Sequence, residues 1–207
     1  MSEFILPFKI KKMKKIYYMS ILLMCQLTIG QSAYSQQNSS GIYKTAEDFQ
    51  QKKLSFSIDC NLEKHKIRTN ILFDGTEVKV KHMGTTYTMK KSETFGYRAC
   101  GGKEYRFDDN KEYTILNPGE TLNIYFYQRP ANSPKEVTKY HPLYFFSKDA
   151  KSALQELTKA NLKATFPNNH KFHDALDVNF KEDKEIQAYD SFHKMYKVNW
   201  ILKNNEN

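Results

Sequence analysis

Between residues 54 and 147, bulky apolar side chains occupy every second position in short runs: Tyr87 and Met89, Phe95 and Tyr97, Tyr105 and Phe107, Tyr113 and Ile115, then Leu122, Ile124 and Phe126. Successive side chains of an extended chain point to opposite sides, so each run predicts a strand with one buried face. Residues 54–60 and 67–73 carry the same alternation. Turn residues separate the runs. Asp74-Gly75 leads into residues 77–80, and Gly101-Gly102 supplies the positive φ angles that two-residue hairpin turns need. Residues 108–110 turn again, and Pro118-Gly119 fits the two central positions of a type II turn. Residues 129–139 contain Pro130 and Pro134 without periodicity and are expected to be a loop. Residues 140–147 are apolar on both parities after Pro142, the pattern of a strand covered on both faces.

Beyond residue 150 the period lengthens to that of helices: Leu154 and Leu157, Leu162 and Phe166, then Phe172, Leu176 and Phe180. Ile186, Tyr189, Phe192, His193 and Tyr196 continue the series, which predicts three or four short helices. Thr158 and Asn168 or Asn169 are candidate caps, and Pro167 ends one helix. Trp200, Ile201 and Leu202 should dock on the core. Near the other end, Thr45 and Asp48 have the spacing of a capping box for a helix through about Gln51. Residues 36–41 are polar and turn-rich, and order is expected from Ile42. The expected fold is α+β: an antiparallel β-sandwich or open barrel-like meander over residues 54–147, a short N-terminal helix, and C-terminal helices over residues 150–202 packed on the sheet.

The first 35 residues change the picture of charge and compartment. Lys11, Lys12, Lys14 and Lys15 precede an apolar run from Ile16 to Gly30, and Ala33-Tyr34-Ser35 has the small-x-small form of a cleavage site. The chain is therefore expected to be exported, to the periplasm, cell surface or medium, with residues 1–35 as signal peptide and residues 36–207 as a single mature domain. Met13 is an alternative start to Met1, and Cys25 an alternative lipidation site. The apolar run is shorter than the roughly 20 residues of a spanning helix and is broken by Gln26 and Thr28, so no integral membrane span is expected after cleavage. The whole chain carries +9, but residues 1–35 hold five lysines and one glutamate, leaving 27 basic and 22 acidic residues. An excess of that size is ordinary for a solvated surface, and no basic run marks a nucleic-acid-binding module. Two cysteines remain, Cys60 and Cys100. In an oxidising compartment they could form one disulfide. Cys60, in phase with Leu54, Phe56 and Ile58, is read first as a small buried apolar residue.

Candidate chemistry is sparse. His170 and His173 lie three apart on a predicted helix, and His193 could complete a metal site of the kind hydrolases use. The Glu that zinc hydrolases place beside the first histidine is missing. No serine has nucleophile-elbow flanks. No cofactor is expected. The 14 tyrosines and 14 phenylalanines are the more notable feature, because a tyrosine ring buries area while its hydroxyl stays hydrated. Tyr125 and Tyr127 fall on the parity opposite Leu122, Ile124 and Phe126. Beside them Arg129, Lys135 and Lys139 would form a basic rim suited to an anionic or sugar ligand.

Residues 41–49 (Gly-Ile-Tyr-x-Thr-Ala-Glu-Asp-Phe), Phe95-Gly-Tyr-Arg98 with Tyr105-Arg-Phe107, Leu176-Asp-x-x-Phe180 and the segment from Tyr189 to Asn199 resemble a group of small exported proteins of the Bacteroidota of unassigned function. The resemblance spans nearly all of the chain after the signal. It implies export and a single folded unit, and it brings no catalytic residues. Together these features favour a non-enzymatic envelope or secreted module that binds a protein, glycan or envelope component, with the histidine-based metal hydrolase as the alternative.

Overall fold

Period-two alternation becomes a long antiparallel sheet in the computed structural model, which describes residues 38–63, 66–70, 75–129 and 142–205. Six strands follow one another as a meander: β6 (Gly96–Arg98), β7 (Glu104–Asp108), β8 (Lys111–Ile115), β9 (Asn123–Tyr127), β10 (Leu143–Ser147) and β11 (Gln155–Glu156). On the other side of β6 lie β1 (Ser39–Tyr43) and then β2 (Ser55–Asp59), giving eight strands in the order β11-β10-β9-β8-β7-β6-β1-β2. The sheet is open, with β11 and β2 at its edges. Two smaller sheets are β3 (Lys66–Arg68), β4 (Glu77–His82) and β5 (Thr85–Lys90), and the hairpin β12 (Tyr189–Asp190) with β13 (Met195–Tyr196). Among the described residues, four helices complete an α+β unit that begins at Ser39: α1 (Ala46–Gln50), α2 (Lys159–Thr165), α3 (His170–Asn179) and α4 (Lys197–Asn204).

The turns follow from their residues. Gly101 and Gly102 have φ of 92° and 82° between β6 and β7, and Asp109 and Asn110, both at positive φ, close the β7–β8 hairpin. Gly119 at φ 100° makes the expected turn before β9. Thr45 caps α1 by accepting from the Asp48 N–H at 3.1 Å, and Glu47 and Asp48 add negative charge to its first turn. Thr158 and Asn169 cap α2 and α3 in the same way, accepting from the Asn161 and Phe172 N–H groups.

Both faces of the large sheet are covered. On one face, Leu122, Ile124 and Phe146 pack against Leu162, Phe172, Leu176 and Ile201 of the C-terminal helices. Farther along the same face, Val78 and Val80 of β4 pack on Ile42, Tyr97 and Phe107. The opposite face holds Tyr43, Tyr113, Ile115, Tyr125 and Tyr127 under Phe49 of α1 and Ala150. The disulfide joins Cys60, just past β2, to Cys100, just past β6, with Cα atoms 5.7 Å apart. Favouring unbridged buried cysteines was therefore wrong. The two strands flank β1, so alignment of the sheet brings their ends together although Cys100 breaks phase with the buried side chains.

Three more sequence expectations are corrected. Residues 39–41 are not a flexible terminus but the first three residues of β1, which is paired on both sides. Ser40 is 1 % exposed and donates to the Arg98 carbonyl, while a Cβ on Gly41 would lie 2.9 Å from the Ser55 carbonyl oxygen, so the polar, glycine-containing run is shaped for close strand packing. The helix expected through Tyr189 and Tyr196 is a hairpin instead. Asp190 Oδ1 accepts from the N–H groups of Phe192 and His193, and Lys194 adopts φ 54°, so the side-chain turn interrupts the helical period. Leu154 and Leu157 flank the short strand β11 rather than a helix. The expected leader at residues 1–35 with Cys25, and Lys135 and Lys139, lie outside the described residues.

Candidate functional site

Strand β7 presents Glu104 and Arg106 on the face that carries Tyr113, Ile115 and Tyr125, because Glu104 pairs with Ile115 and Arg106 with Tyr113. Both charged residues are buried, at 2 % and 7 % exposure. Isolated charges in such positions are costly and call for partners. Glu104 has them: the Tyr43 hydroxyl donates to it at 2.6 Å, the Lys52 ammonium at 2.9 Å, and Arg98 Nη1 lies 3.6 Å away. Burial, with the Glu104 carboxylate beside it, pushes the Tyr43 hydroxyl pKa well above its usual value, so Tyr43 stays a donor.

Arg106 is held differently. Nη1 donates to the Tyr125 hydroxyl at 3.1 Å and to Ser147 Oγ at 3.4 Å, and Nη2 donates to the Ser152 carbonyl at 2.9 Å. Ser147 spends its one proton on the Asp149 carbonyl at 2.6 Å. The 2.9 Å contact between Tyr125 and Ser147 therefore has Tyr125 donating, which leaves oxygen lone pairs of both residues facing the guanidinium. Asp149 builds the turn beneath: its Oδ1 accepts from the Lys151 and Ser152 N–H groups at 2.8 Å each, which aims the Ser152 carbonyl at Arg106. The guanidinium carbon lies 5.5 Å from the ring centroids of both Phe95 and Tyr125, within cation–π range. All these partners are neutral. Among the described residues no carboxylate lies within ion-pairing distance of Arg106.

Above Arg106 opens a pocket of about 640 Å³. Lys44, Thr45 and Ala46 line it from the start of α1, Ser92, Thr94 and Phe95 from the β5–β6 connection, and Lys151 from the turn after β10. Lys91, only 2 % exposed, also lines it and donates to the Asn110 carbonyl at 2.8 Å. Asp108, Asp109 and Glu93 supply negative charge. Glu93 pairs with Lys90 at 3.0 Å and Lys151 with Glu47 at 2.6 Å, while burial raises the Asp108 carboxyl pKa despite Arg106 nearby. The lining contains no histidine or cysteine. The arrangement is that of a fixed cation at the floor of a polar cleft, suited to holding an anion.

The residues read from the sequence as a binding face do not form one. Tyr125 is fully buried and Tyr127 is 8 % exposed, packed on Tyr113 at 5.1 Å. The C-terminal helices do cover the aliphatic side, but α1 and the Asp149 turn cover the tyrosine side as well. Tyr125 belongs instead to the support of Arg106. Arg129 is exposed at the end of its described segment. His170 and His173 lie near each other on α3, with ring centroids 5.7 Å apart, but no third ligand joins them among the described residues. His173 shares a hydrogen bond with the Phe166 carbonyl, His193 pairs with Asp190 at 2.7 Å and lies against Trp200, and no cluster among the described residues could hold a metal. Arg106 was missed because Tyr105 and Phe107 mark the other parity of β7 as buried, which left Glu104 and Arg106 reading as solvated. The available signal was their register with Tyr113 and Ile115, two apolar residues on a face that must itself be covered. No protein-family model, curated protein or solved structure matches the chain.

Proposed function

We propose that the protein is an exported, non-enzymatic module that binds an anionic ligand in the Arg106 pocket. Export, to the periplasm, cell surface or medium, rests on the basic and apolar composition of residues 1–35. The Cys60–Cys100 bridge supports it, since such bonds persist in oxidising compartments. The scaffold is read as sandwich-like, with the small β3-β4-β5 sheet lying on part of the large one. Binding is carried by one observation: Arg106 is buried beneath an open pocket with neutral partners only, whereas Glu104 on the same strand is fully paired. A permanent guanidinium cannot shed its charge, so an incoming anion supplies the directly bonded counter-charge that its neutral partners do not. Recognition is the reading favoured over catalysis because a fixed cation holds an anion without itself moving a proton.

An NMR titration of the amide-labelled protein with sodium acetate tests this. Saturable shifts are expected at the Thr94, Phe95, Asn110 and Ala150 amides and should vanish in Arg106→Gln. Weak shifts scattered over the surface without saturation would reject the pocket as an anion site.

A further inference from the structure

On the reading that the Arg106 pocket takes an anion, we infer that its ligand is a hydroxyl-rich monocarboxylate, a sugar acid of the uronic type. A guanidinium carries five N–H donors. Nη1 uses two on Tyr125 and Ser147, and Nη2 uses one on Ser152. This leaves Nε–H and the second Nη2–H. Nε makes no hydrogen bond to the protein and is not a fully enclosed atom, so this edge of the guanidinium, with Nη2 beside it, is reached from the pocket that Arg106 lines. Adjacent parallel donors of this kind match the two oxygens of a planar carboxylate.

The rest of the lining selects the body of the ligand. Asp108, Asp109 and Glu93 offset Lys44, Lys91 and Lys151 of the same lining, which leaves the single charge of Arg106 to be matched and favours a monoanion over a phosphate dianion. Those same carboxylates accept hydrogen bonds from hydroxyl groups, and Thr45, Ser92 and Thr94 add hydroxyls that both donate and accept. The Phe95 ring is already engaged by Phe49, stacked on it at 4.8 Å, and by Arg106 at 5.5 Å. An apolar or aromatic ligand body therefore gains little here, while a polyol satisfies the walls.

Calorimetric titration of the purified protein with glucuronate, glucose, acetate and inorganic phosphate distinguishes the possibilities. Glucuronate should bind about tenfold or more tightly than acetate, phosphate and glucose, because each of these omits the hydroxyls, the planar carboxylate or the charge. Arg106→Lys should lose about tenfold for glucuronate, since one ammonium cannot replace the planar edge. Should that variant fail to fold, Ser92→Ala at the wall takes its place, and a loss of glucuronate affinity with acetate affinity unchanged is expected. Acetate or phosphate binding at the pocket as tightly as glucuronate would overturn the sugar-acid assignment and leave the anion site standing. Glucose matching glucuronate would overturn the carboxylate role. Absence of binding by every anion at the pocket would reject both this inference and the function on which it rests.

Discussion

Tyr127 shows how far parity alone carries an argument. Alternation correctly placed Tyr125 and Tyr127 on one side of β9 and Leu122, Ile124 and Phe126 on the other, because that follows from backbone geometry. Which side meets water is a tertiary property. It depends on α1 and on the turn made by Asp149, whose contacts with the tyrosine face span long stretches of sequence. The same limit hid Arg106, a charged residue that is buried because three neutral oxygen acceptors and two rings were assembled around it. Tyr127→Ala is accordingly expected to behave as a core truncation, costing about 3 kcal/mol and lowering the Tm by roughly 10 °C. Thermal unfolding of the variant checks this. A Tm within a few degrees of the parent would show that the ring is not part of the packed face.

At the scale of elements, caps and glycine turns were legible because each is a local contract between neighbouring residues, as at Thr45, Thr158, Gly101 and Gly119. Strand β1 and the β12–β13 hairpin were not. The first looks polar because it needs Ser40 and Gly41 for close pairing, and the second carries a helical spacing that Asp190 and Lys194 override. The docking of α4 is a further non-local device. Asn199, 5 % exposed, accepts from the Leu122 N–H and donates to the Leu122 carbonyl, both at 3.0 Å, tying the last helix to the entry of β9. Asn117 also donates to that carbonyl at 2.8 Å, so only the N–H would be orphaned by a truncation at 199. Asn199→Ala should therefore cost about 1–3 kcal/mol, the desolvation of one buried donor, and speed amide exchange at Leu122. Urea unfolding with hydrogen exchange measures both. An unchanged midpoint would mean that α4 is held by its apolar face alone.

For the molecule as a whole, compartment and stability meet in one bond. The Cys60–Cys100 bridge closes a sequence separation of 40 residues, and restricting an unfolded loop of that length is worth ~4 kcal/mol in the chain-entropy description. That is a large part of the stability of an ordinary domain. It is gained only where thiols oxidise, so the proposed export to an oxidising compartment would bring the bridge, and retention in a reducing cytoplasm would not. Exported material is expected to begin near Gln36, to be two hydrogens lighter than the dithiol, and to lose roughly 10 °C of Tm on reduction. Intact mass and thermal unfolding, each with and without reductant, test the two halves separately. A mature start at Cys25 with added lipid would replace soluble export by membrane anchoring. Free thiols in the exported chain, or a Tm indifferent to reductant, would show that β2 and β6 are aligned by their hydrogen bonds through β1 without help from the bridge.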